Sequence, residues 1–465
     1  MCARAGRPRA PVPRRRAGAG RCVLGAAVQW RPHRGELSRS GGLLIRIANY
    51  SGFYGDSDEA IVEQVRGGPV DIVCGDYLAE LTMGLLLRDR MRDASLGYAR
   101  TALLHLGAVL EPCIQGKIRI VINAGGLNPE GLAQALAALA AKKRLSPRIA
   151  WVRGDDVGDR LSEWQERGDA LAHLDTGVPL AEAPGQVLAA HAYLGCFPIA
   201  EALSRGADVV ITGRCTDAAL LMGPAAWHHG WTPQDLDPLA GALVAGHIVE
   251  CGGQATGGNQ PFWQDVPDLG RVGYPIAEVA QDGSSVITKH PSAGGRVDRD
   301  SVMAQLMYEV GPPAYISPDV VADFRTVELY DDGEDRVGLR GVRGLVPPDT
   351  LKVGALVTAG FRNQVKVLLS GPHLRQKVDR VAQSFWERVG DDFTERHTEL
   401  IGAPSEEPAT PSEALGVLLL GARSPDRDAV GRRFTSAAVG LALRSVPGLT
   451  LLDPPPGSRA VCHLS

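Results

Sequence analysis

Between Asp208 and Pro291 the chain concentrates Gly, His, Asp, Glu and Arg residues in turns of the kind that hold ligands and move protons. The densest stretch is Gly246-His247-Ile248-Val249-Glu250-Cys251-Gly252-Gly253-Gln254-Ala255-Thr256-Gly257-Gly258. If Leu239–Cys251 is helical, His247, Glu250 and Cys251 fall at i, i+3 and i+4 on one face. A His–Glu pair out of water can work as a general base with its orienting partner, or supply two metal ligands. No H-E-x-x-H or equivalent ligand set is present, so no metal is assigned. Gly257 and Gly258 end the helix and, with Gln254, let the chain approach a ligand closely. The plainer alternative is that His247 is a satisfied core histidine.

Two further elements flank this stretch. Gly213-Arg214, ahead of a helix starting near Thr216, is an anion site in form: a guanidinium fork beside a helix dipole that favours a carboxylate or phosphate. Its structural alternative is an ion pair of Arg214 with Asp208 or Asp217. Lys289-His290-Pro291, followed by Gly294-Gly295, could hold an anion or an acyl carbonyl, or place Lys289 in solvent.

The elements that position these residues are legible from periodicity. Leu43–Ile47, Val70–Val73, Ile118–Ile122, Ile149–Val152 and Val209–Ile211 are short and apolar on both faces, as strands buried in a parallel sheet are. Helices are expected at Asp58–Arg66, Tyr77–Asp93, Tyr98–Gln115 and Pro129–Lys143, the last capped by Asn128 with Pro129 at its first position. The fold class is therefore α/β, a parallel sheet with helices on both faces. A smaller α+β region with antiparallel hairpins follows it. The first hairpin pairs Ile276–Val279 with Ser285–Lys289 around Asp282-Gly283. A second flanks Asp331-Asp332-Gly333 between Thr326–Tyr330 and Arg336–Arg340, and a third pairs Thr350–Thr358 with Gln364–Leu369. The expected units are an Arg/Pro-rich disordered extension at 1–40, the parallel-sheet domain at 41–239 and the α+β region at 240–372. Residues 373–465 add a helix at Pro372–Arg396, a Pro/Glu/Ser-rich linker at 403–412, one strand and helix, and a frayed end from Asp453.

In open α/β sheets ligands bind beyond the carboxyl ends of the strands. The expected strands end in Ser51-Gly52 with Gly55-Asp56, in Gly75-Asp76, in Asn123-Ala124-Gly125-Gly126, in Gly154-Asp155-Asp156 and in Gly213-Arg214. Asn123, Gly125 and Gly126 join the candidates on this ground. Neither G-x-x-x-x-G-K-[ST] nor a well-placed G-x-G-x-x-G occurs, so no nucleotide loop is found and the cofactor stays unassigned. The absence of G-x-S-x-G argues against an α/β-hydrolase.

The net charge of −4 and 5% aromatic content give no reason to expect nucleic acid as a partner. No apolar run reaches the roughly 18–20 residues that span a bilayer, so no membrane partner is expected. Eight cysteines without a C-x-x-C pair fit a reduced, intracellular protein.

Taken in order, these segments resemble the acyclic terpene utilisation (AtuA) family, long catalogued as a domain of unknown function. The matching runs are Ser51-Gly52-Phe53-Tyr54-Gly55-Asp56, Gly75-Asp76-Tyr77-Leu78-Ala79-Glu80, Gly154-Asp155-Asp156 and Ala192-Tyr193-Leu194-Gly195. They continue through Gly206 to Arg214, His247 to Gly258, Pro275-Ile276-Ala277-Glu278, Thr288-Lys289-His290-Pro291 and Tyr315-Ile316-Ser317-Pro318-Asp319-Val320. Two departures stand out: His191 replaces an Asn of the family pattern, and the tail beyond 400 is degenerate. The resemblance implies a bacterial cytoplasmic protein of acyclic isoprenoid or branched acyl-CoA breakdown, with a small carboxylate or acyl-CoA thioester as substrate. A homo-oligomer or an acyl-CoA carboxylase is the protein partner it suggests. The expected chemistry is acid–base, either proton abstraction or hydration and elimination. Arg214 and Lys289 would hold anionic groups, with His290 beside them. His247, supported by Glu250, would move the proton, and Asp56 and Asp217 would add polarity or a second acid. Backbone N–H groups of Gly213, Gly257 and Gly258 would stabilise a developing enolate. The rival reading is a non-catalytic assembly or ligand-sensing partner of a carboxylase.

Overall fold

The computed structural model describes residues 44–464 except 184, 403, 404 and 406. The expected extension at 1–40 lies outside them, as does part of the 403–412 linker. A nine-stranded sheet forms the centre. Five strands run parallel in the spatial order Leu44–Asn49, Ile72–Gly75, Arg119–Ile122, Val209–Ile211 and Ile149–Trp151. Side chains alternate between faces along each strand. Ile45, Ile47, Ile72, Cys74, Val121 and Val210 enter one core. Ala48, Val73, Ile120, Ile122, Val209 and Ile211 enter the opposite one. Helices Ala60–Arg66, Glu80–Arg92, Thr101–Gly116 and Pro129–Lys142 cover the second face, and the Asn128 cap forms, its side chain accepting from Gly131 N at 2.9 Å. Helices Phe197–Ser204, Ala219–His229 and Leu236–Glu250 cover the first.

The first two expected hairpins form, and they extend this same sheet. Ile276–Ala280 lies antiparallel to the first strand, then Ser285–Thr288, Arg336–Arg340 and Glu328–Gly333 follow outward. The second turn differs from expectation. Asp331–Gly333 belongs to the strand, with a register shift there, and the chain reverses at Glu334-Asp335, where Gly333 and Asp335 have φ of 125° and 52°. The third expected hairpin does not exist. Thr350–Thr358 and Gln364–Leu369 belong to a single strand, Val353–Ser370. Gly360, at φ 81°, makes a bulge rather than a turn, because Phe361 and Arg362 keep pairing with Ser424 and Arg423.

That long strand is the spine of a six-stranded antiparallel sheet. Its first half pairs with Val187–Ala192, a strand that the Ala-rich sequence does not announce. Its second half pairs with Leu415–Ser424, which in turn pairs with Glu395–Ile401. The expected helix Pro372–Arg396 is shorter, Leu374–Val389, and stops at Gly390 with φ 85°. Leu449–Leu451 pairs with the long strand, and the end expected to fray from Asp453 instead adds a second such strand, Arg459–Leu464. Among the described residues no helix is long and apolar enough to cross a membrane.

Helix Leu236–Glu250 is buried on every side from Leu239 to Glu250, and its small residues allow the close approach this requires. An added Cβ at Gly241 would stand 2.2 Å from the Gly283 carbonyl oxygen, and one at Gly246 would stand 2.9 Å from Ala218 Cα. G241A should therefore lose about 1–3 kcal/mol of stability by overpacking. Gly84, in Glu80–Arg92, has nothing within 4 Å of its Cβ position, so G84A should gain about 0.5–1 kcal/mol from helix propensity and reduced unfolded-chain entropy. Urea titrations of both variants check the pair, and a G241A midpoint equal to wild type would contradict the close helix–hairpin packing.

Candidate active site

The carboxyl ends of the parallel strands open into a cleft of about 1120 Å³, roofed by the 252–274 and 308–318 segments and bordered by Thr350–Lys352. Asn49, at the end of the first strand, donates from Nδ2 to the Glu250 carbonyl at 3.3 Å and ties the buried helix to the sheet edge. Asp56 accepts from Gly52 N and Ser57 N, both at 2.8 Å, and from the Tyr274 hydroxyl. Asp76, after the second strand, accepts from Leu78 N at 2.9 Å and Asn123 Nδ2 at 2.7 Å.

Arg214 is 4% exposed. Its guanidinium donates to the Leu78 carbonyl and to Asp217 Oδ1 at 3.2 Å, lies 3.8 Å from Glu80 and sits 4.3 Å over the Tyr193 ring. Burial opposes its charge, but Asp217, Tyr193, Asp76 and Glu80 outweigh that and hold it protonated. The ion pair with Asp217 is thus present, while Asp208 instead accepts from Arg148 N.

Glu250 reaches the cleft and His247 stands behind it. His247 Nδ1 and Glu250 Oε1 are 3.2 Å apart, and the imidazole packs against Tyr315 and Phe324 at ring distances of 5.2 and 5.8 Å. Burial raises the Glu250 carboxyl; the hydrogen bond with His247 opposes this, the Asp217 charge adds to it, and the result is about 7. Burial works against charging His247, but the bond to Glu250 and its charge prevail and raise the imidazole. The pair therefore holds a proton around neutrality. Asp76 is also raised, by burial and then by Asp217.

The structure brings Asp56, Arg214, Asp217, Glu250, Gln254 and Gly258 to one cleft. It leaves the other expected residues outside the lining. Asn123 is fully buried and positions Asp76 and Tyr77 N. Gly125 N donates to the Thr212 carbonyl, and a Cβ at Gly126 would strike Leu86. Gly213 packs against the Asp155 carboxylate, which also accepts from Arg214 N and contacts His191 Nδ1 at 3.2 Å. Gly257 N and Gly258 N are committed to the Gln254 and Gly253 carbonyls, so they are not enolate donors. Lys289 is 6% exposed, donates to the Ala293 carbonyl and pairs with Asp335 at 2.8 Å. His290 bonds the Gln64 carbonyl and packs on Gly67 and Gly68. These two close the hairpin end rather than face the cleft, Lys289 held by the Ala293 carbonyl and Asp335 and His290 by the Gln64 carbonyl.

Residues not singled out from sequence complete the lining: Asp76, Glu80, Tyr193, Gln260, Tyr315 and Lys352 among them. Asp76, Glu80, Tyr193 and Tyr315 lie within the family-like runs, and Asp76 at a strand end, which is their signal. Among the described residues, buried Arg214 Nε, Gln260 Nε2, Thr216 Oγ1 and Glu250 Oε2 have no hydrogen-bond partner. These three donors and one acceptor, on lining residues, are the groups a bound molecule can satisfy. Among the described residues no cluster of three His, Cys, Asp or Glu suits a metal ion.

The sequence model of the acyclic terpene utilisation family protein AtuA matches residues 45–463. The chain belongs to the acyclic terpene utilisation family. No curated protein and no solved structure matches it. In this acyclic terpene utilisation protein the matched region contains every cleft residue described above and all but the end residues of the nine- and six-stranded sheets.

A carboxyl raised on folding keeps its proton after the unfolded chain has released it. The stability that Glu250 contributes is thus complete below about 4.5 and lost as pH rises through about 7. His247, also raised, acts with the same sign, its contribution being present below 6.5 and lost above that. E250Q, neutral at all pH, should flatten the decline in melting temperature between about pH 5 and 7. Equal slopes for E250Q and wild type would show that Glu250 does not carry that proton.

Proposed function

We propose that the chain is an enzyme of acyclic isoprenoid or branched acyl catabolism working by acid–base chemistry, with Glu250 as the proton-transfer group and His247 as its positioning residue. The observation that carries this is a buried carboxyl lining the cleft, one oxygen bonded to an imidazole and the other unpartnered among the described residues, with burial raising its proton affinity toward neutrality. A general base works best with a pKa near the operating pH. In its ionised form Glu250 takes a proton from carbon adjacent to a carbonyl; the C–H electron pair becomes the carbon–carbon π bond of the enolate and the carbonyl π pair moves onto oxygen. Arg214 Nε and Gln260 Nε2, donors of the lining without a partner among the described residues, would stabilise that oxygen. In its protonated form Glu250 returns the proton to that carbon; in hydration of a conjugated double bond, water adds to the β-carbon as its proton passes to ionised Glu250, the π pair moves through the enolate, and Glu250 then delivers that proton to the α-carbon.

The rim supports an apolar chain. Phe53, Trp263, Leu269, Tyr308, Ile316 and Leu351 line the cleft and are each at least 40% exposed. Burying such surface on a hydrocarbon substrate contributes about 25 cal/mol per Å². The cleft also carries six carboxylates, Asp56, Asp76, Glu80, Asp217, Glu250 and Glu309, against Arg214 and Lys352. A thioester therefore enters by its acyl end, with its anionic tail outside. Exposed Leu345 and Val346, at 51% and 77%, favour a second reading, a surface for a protein partner such as an acyl-CoA carboxylase.

Turnover separates the two. The isolated chain, incubated in D₂O with branched enoyl- and acyl-CoA thioesters, should exchange α-deuterium or hydrate at least one of them. E250Q should reduce kcat about 10²–10⁴-fold, the usual worth of a positioned acid or base. H247N should shift the pH profile of kcat more than it changes KM. An E250Q enzyme of full activity would overturn the assignment, and a chain without turnover that co-purifies with a carboxylase would establish the partner reading.

A further inference from the structure

The second hollow of the molecule, about 670 Å³, lies on the open face of the six-stranded sheet. Along Val353–Ser370, Asn363, Val365 and Val367 turn inward, the two valines packing toward helices Leu374–Val389 and Arg432–Leu441. Arg362, Gln364 and Lys366 take the other face, and all three are exposed. Register sets Arg362 opposite Arg423 on one neighbouring strand and opposite Arg459 on the other. Residues directly opposite in antiparallel strands share a face with Cβ atoms roughly 4.5–5.5 Å apart, and like charges so placed destabilise the pair. Three arginines stand in one row across the sheet.

Five Lys or Arg side chains line this hollow against two carboxylates, Glu395 and Asp453. Arg423 is paired with Glu395 at 2.8 Å, and Arg396 with Asp391. Arg362, Lys366 and Arg459 have no side-chain hydrogen bond or ion pair among the described residues. Gly421 lies between His397 and Gln364 in the next row, and the absence of a side chain there deepens the floor. Three unpaired cations against Asp453 match a ligand carrying two negative charges, more than a single carboxylate supplies. The volume is that of a small-molecule site. No Phe, Tyr or Trp is among the lining residues, which removes the stacking platforms of single-stranded nucleic acid.

We infer that this face is a binding site for a phosphate-bearing small molecule, separate from the acidic cleft, in which Arg362, Lys366 and Arg459 hold the phosphate oxygens. Arginine forks bind such oxygens bidentately. The ligand also relieves the repulsion that the Arg row otherwise carries.

Calorimetric titration of the full chain with inorganic pyrophosphate tests this. Saturable binding is expected, weakening as ionic strength rises. R362A and K366A should each weaken it at least tenfold, consistent with loss of a charge-assisted contact. R362A should not lower the melting temperature, since it removes like-charge opposition. G421V places its Cβ only in ordinary contact, 3.6 Å from His397 Cβ, and should abolish binding by filling the floor, while E250Q in the cleft should leave it unchanged. Absence of saturable binding, or binding insensitive to both R362A and G421V, overturns the inference. So does retention on phosphatidylserine vesicles without pyrophosphate binding, which would assign the face to a membrane surface.

Discussion

The cleft depends on one buried guanidinium. Arg214 comes from the turn after strand Val209–Ile211, yet it bonds the carbonyl that follows the second strand and pairs with Asp217. It also faces Glu80 and lies on Tyr193, beyond the Val187–Ala192 strand of the other sheet. Taking such a charge out of water costs several kcal/mol unless partners surround it. The turns that carry those partners are thereby held in one arrangement. The arrangement also bears on the chemistry: Asp217, held by Arg214, is a charge that pushes the Glu250 proton affinity upward. Arg214 is therefore less free for a substrate anion than its sequence setting suggests, and its one unpartnered atom, Nε, is what remains for a ligand.

The second constraint is the helix that delivers Glu250. A helix buried all round has no solvated face on which to place a charged residue, so its acid must find a partner or a cleft. The three-residue step from His247 to Glu250 supplies both: the imidazole takes one oxygen inside the protein, and the last turn brings the other to the cleft wall. The close approaches at Gly241 and Gly246 let this helix sit against the hairpin and the Ala218 turn.

Much of this was legible from spacing. Five parallel strands, four helices on one face and the Asn128 cap follow from apolar runs and helix punctuation, and the His247/Glu250 pairing follows from helical geometry. Strand ends locate the edge at which the cleft opens, and Asp56 and Arg214 lie on its lining. What spacing cannot supply is the direction a turn residue points. Asn123, Gly125, Gly213, Lys289 and His290 all lie at that edge, yet backbone carbonyls, Asp155 and Asp335 occupy them. The order within the His–Glu pair was likewise invisible, since i and i+3 share a face without saying which reaches solvent. The second sheet escaped because Val187–Ala192 is alanine-rich and pairs with a strand starting at Val353. A glycine that reads as a turn, Gly360, is a bulge, because its neighbours had partners that only the fold reveals.

Net charge shows the same limit at a larger scale. A value of −4 over 465 residues excludes little about any one surface. The carboxylates gather at the cleft, while unpaired Arg and Lys gather on the sheet face around Arg362. A low-dielectric cleft lined by one sign of charge focuses that field onto whatever enters. Under acid–base chemistry at Glu250, the excess of acids then does more than raise one pKa. It sets the direction of entry, since a molecule with an apolar end and an anionic end meets repulsion in one orientation only. Lys352, half exposed beside Thr350 and Leu351, is the one lining cation at the mouth that such an anionic end would meet. Under the proposed chemistry the carboxylates that raise the Glu250 proton affinity would also orient the substrate, and neither effect is separable from the buried Arg214 that allows so many acids to stand together.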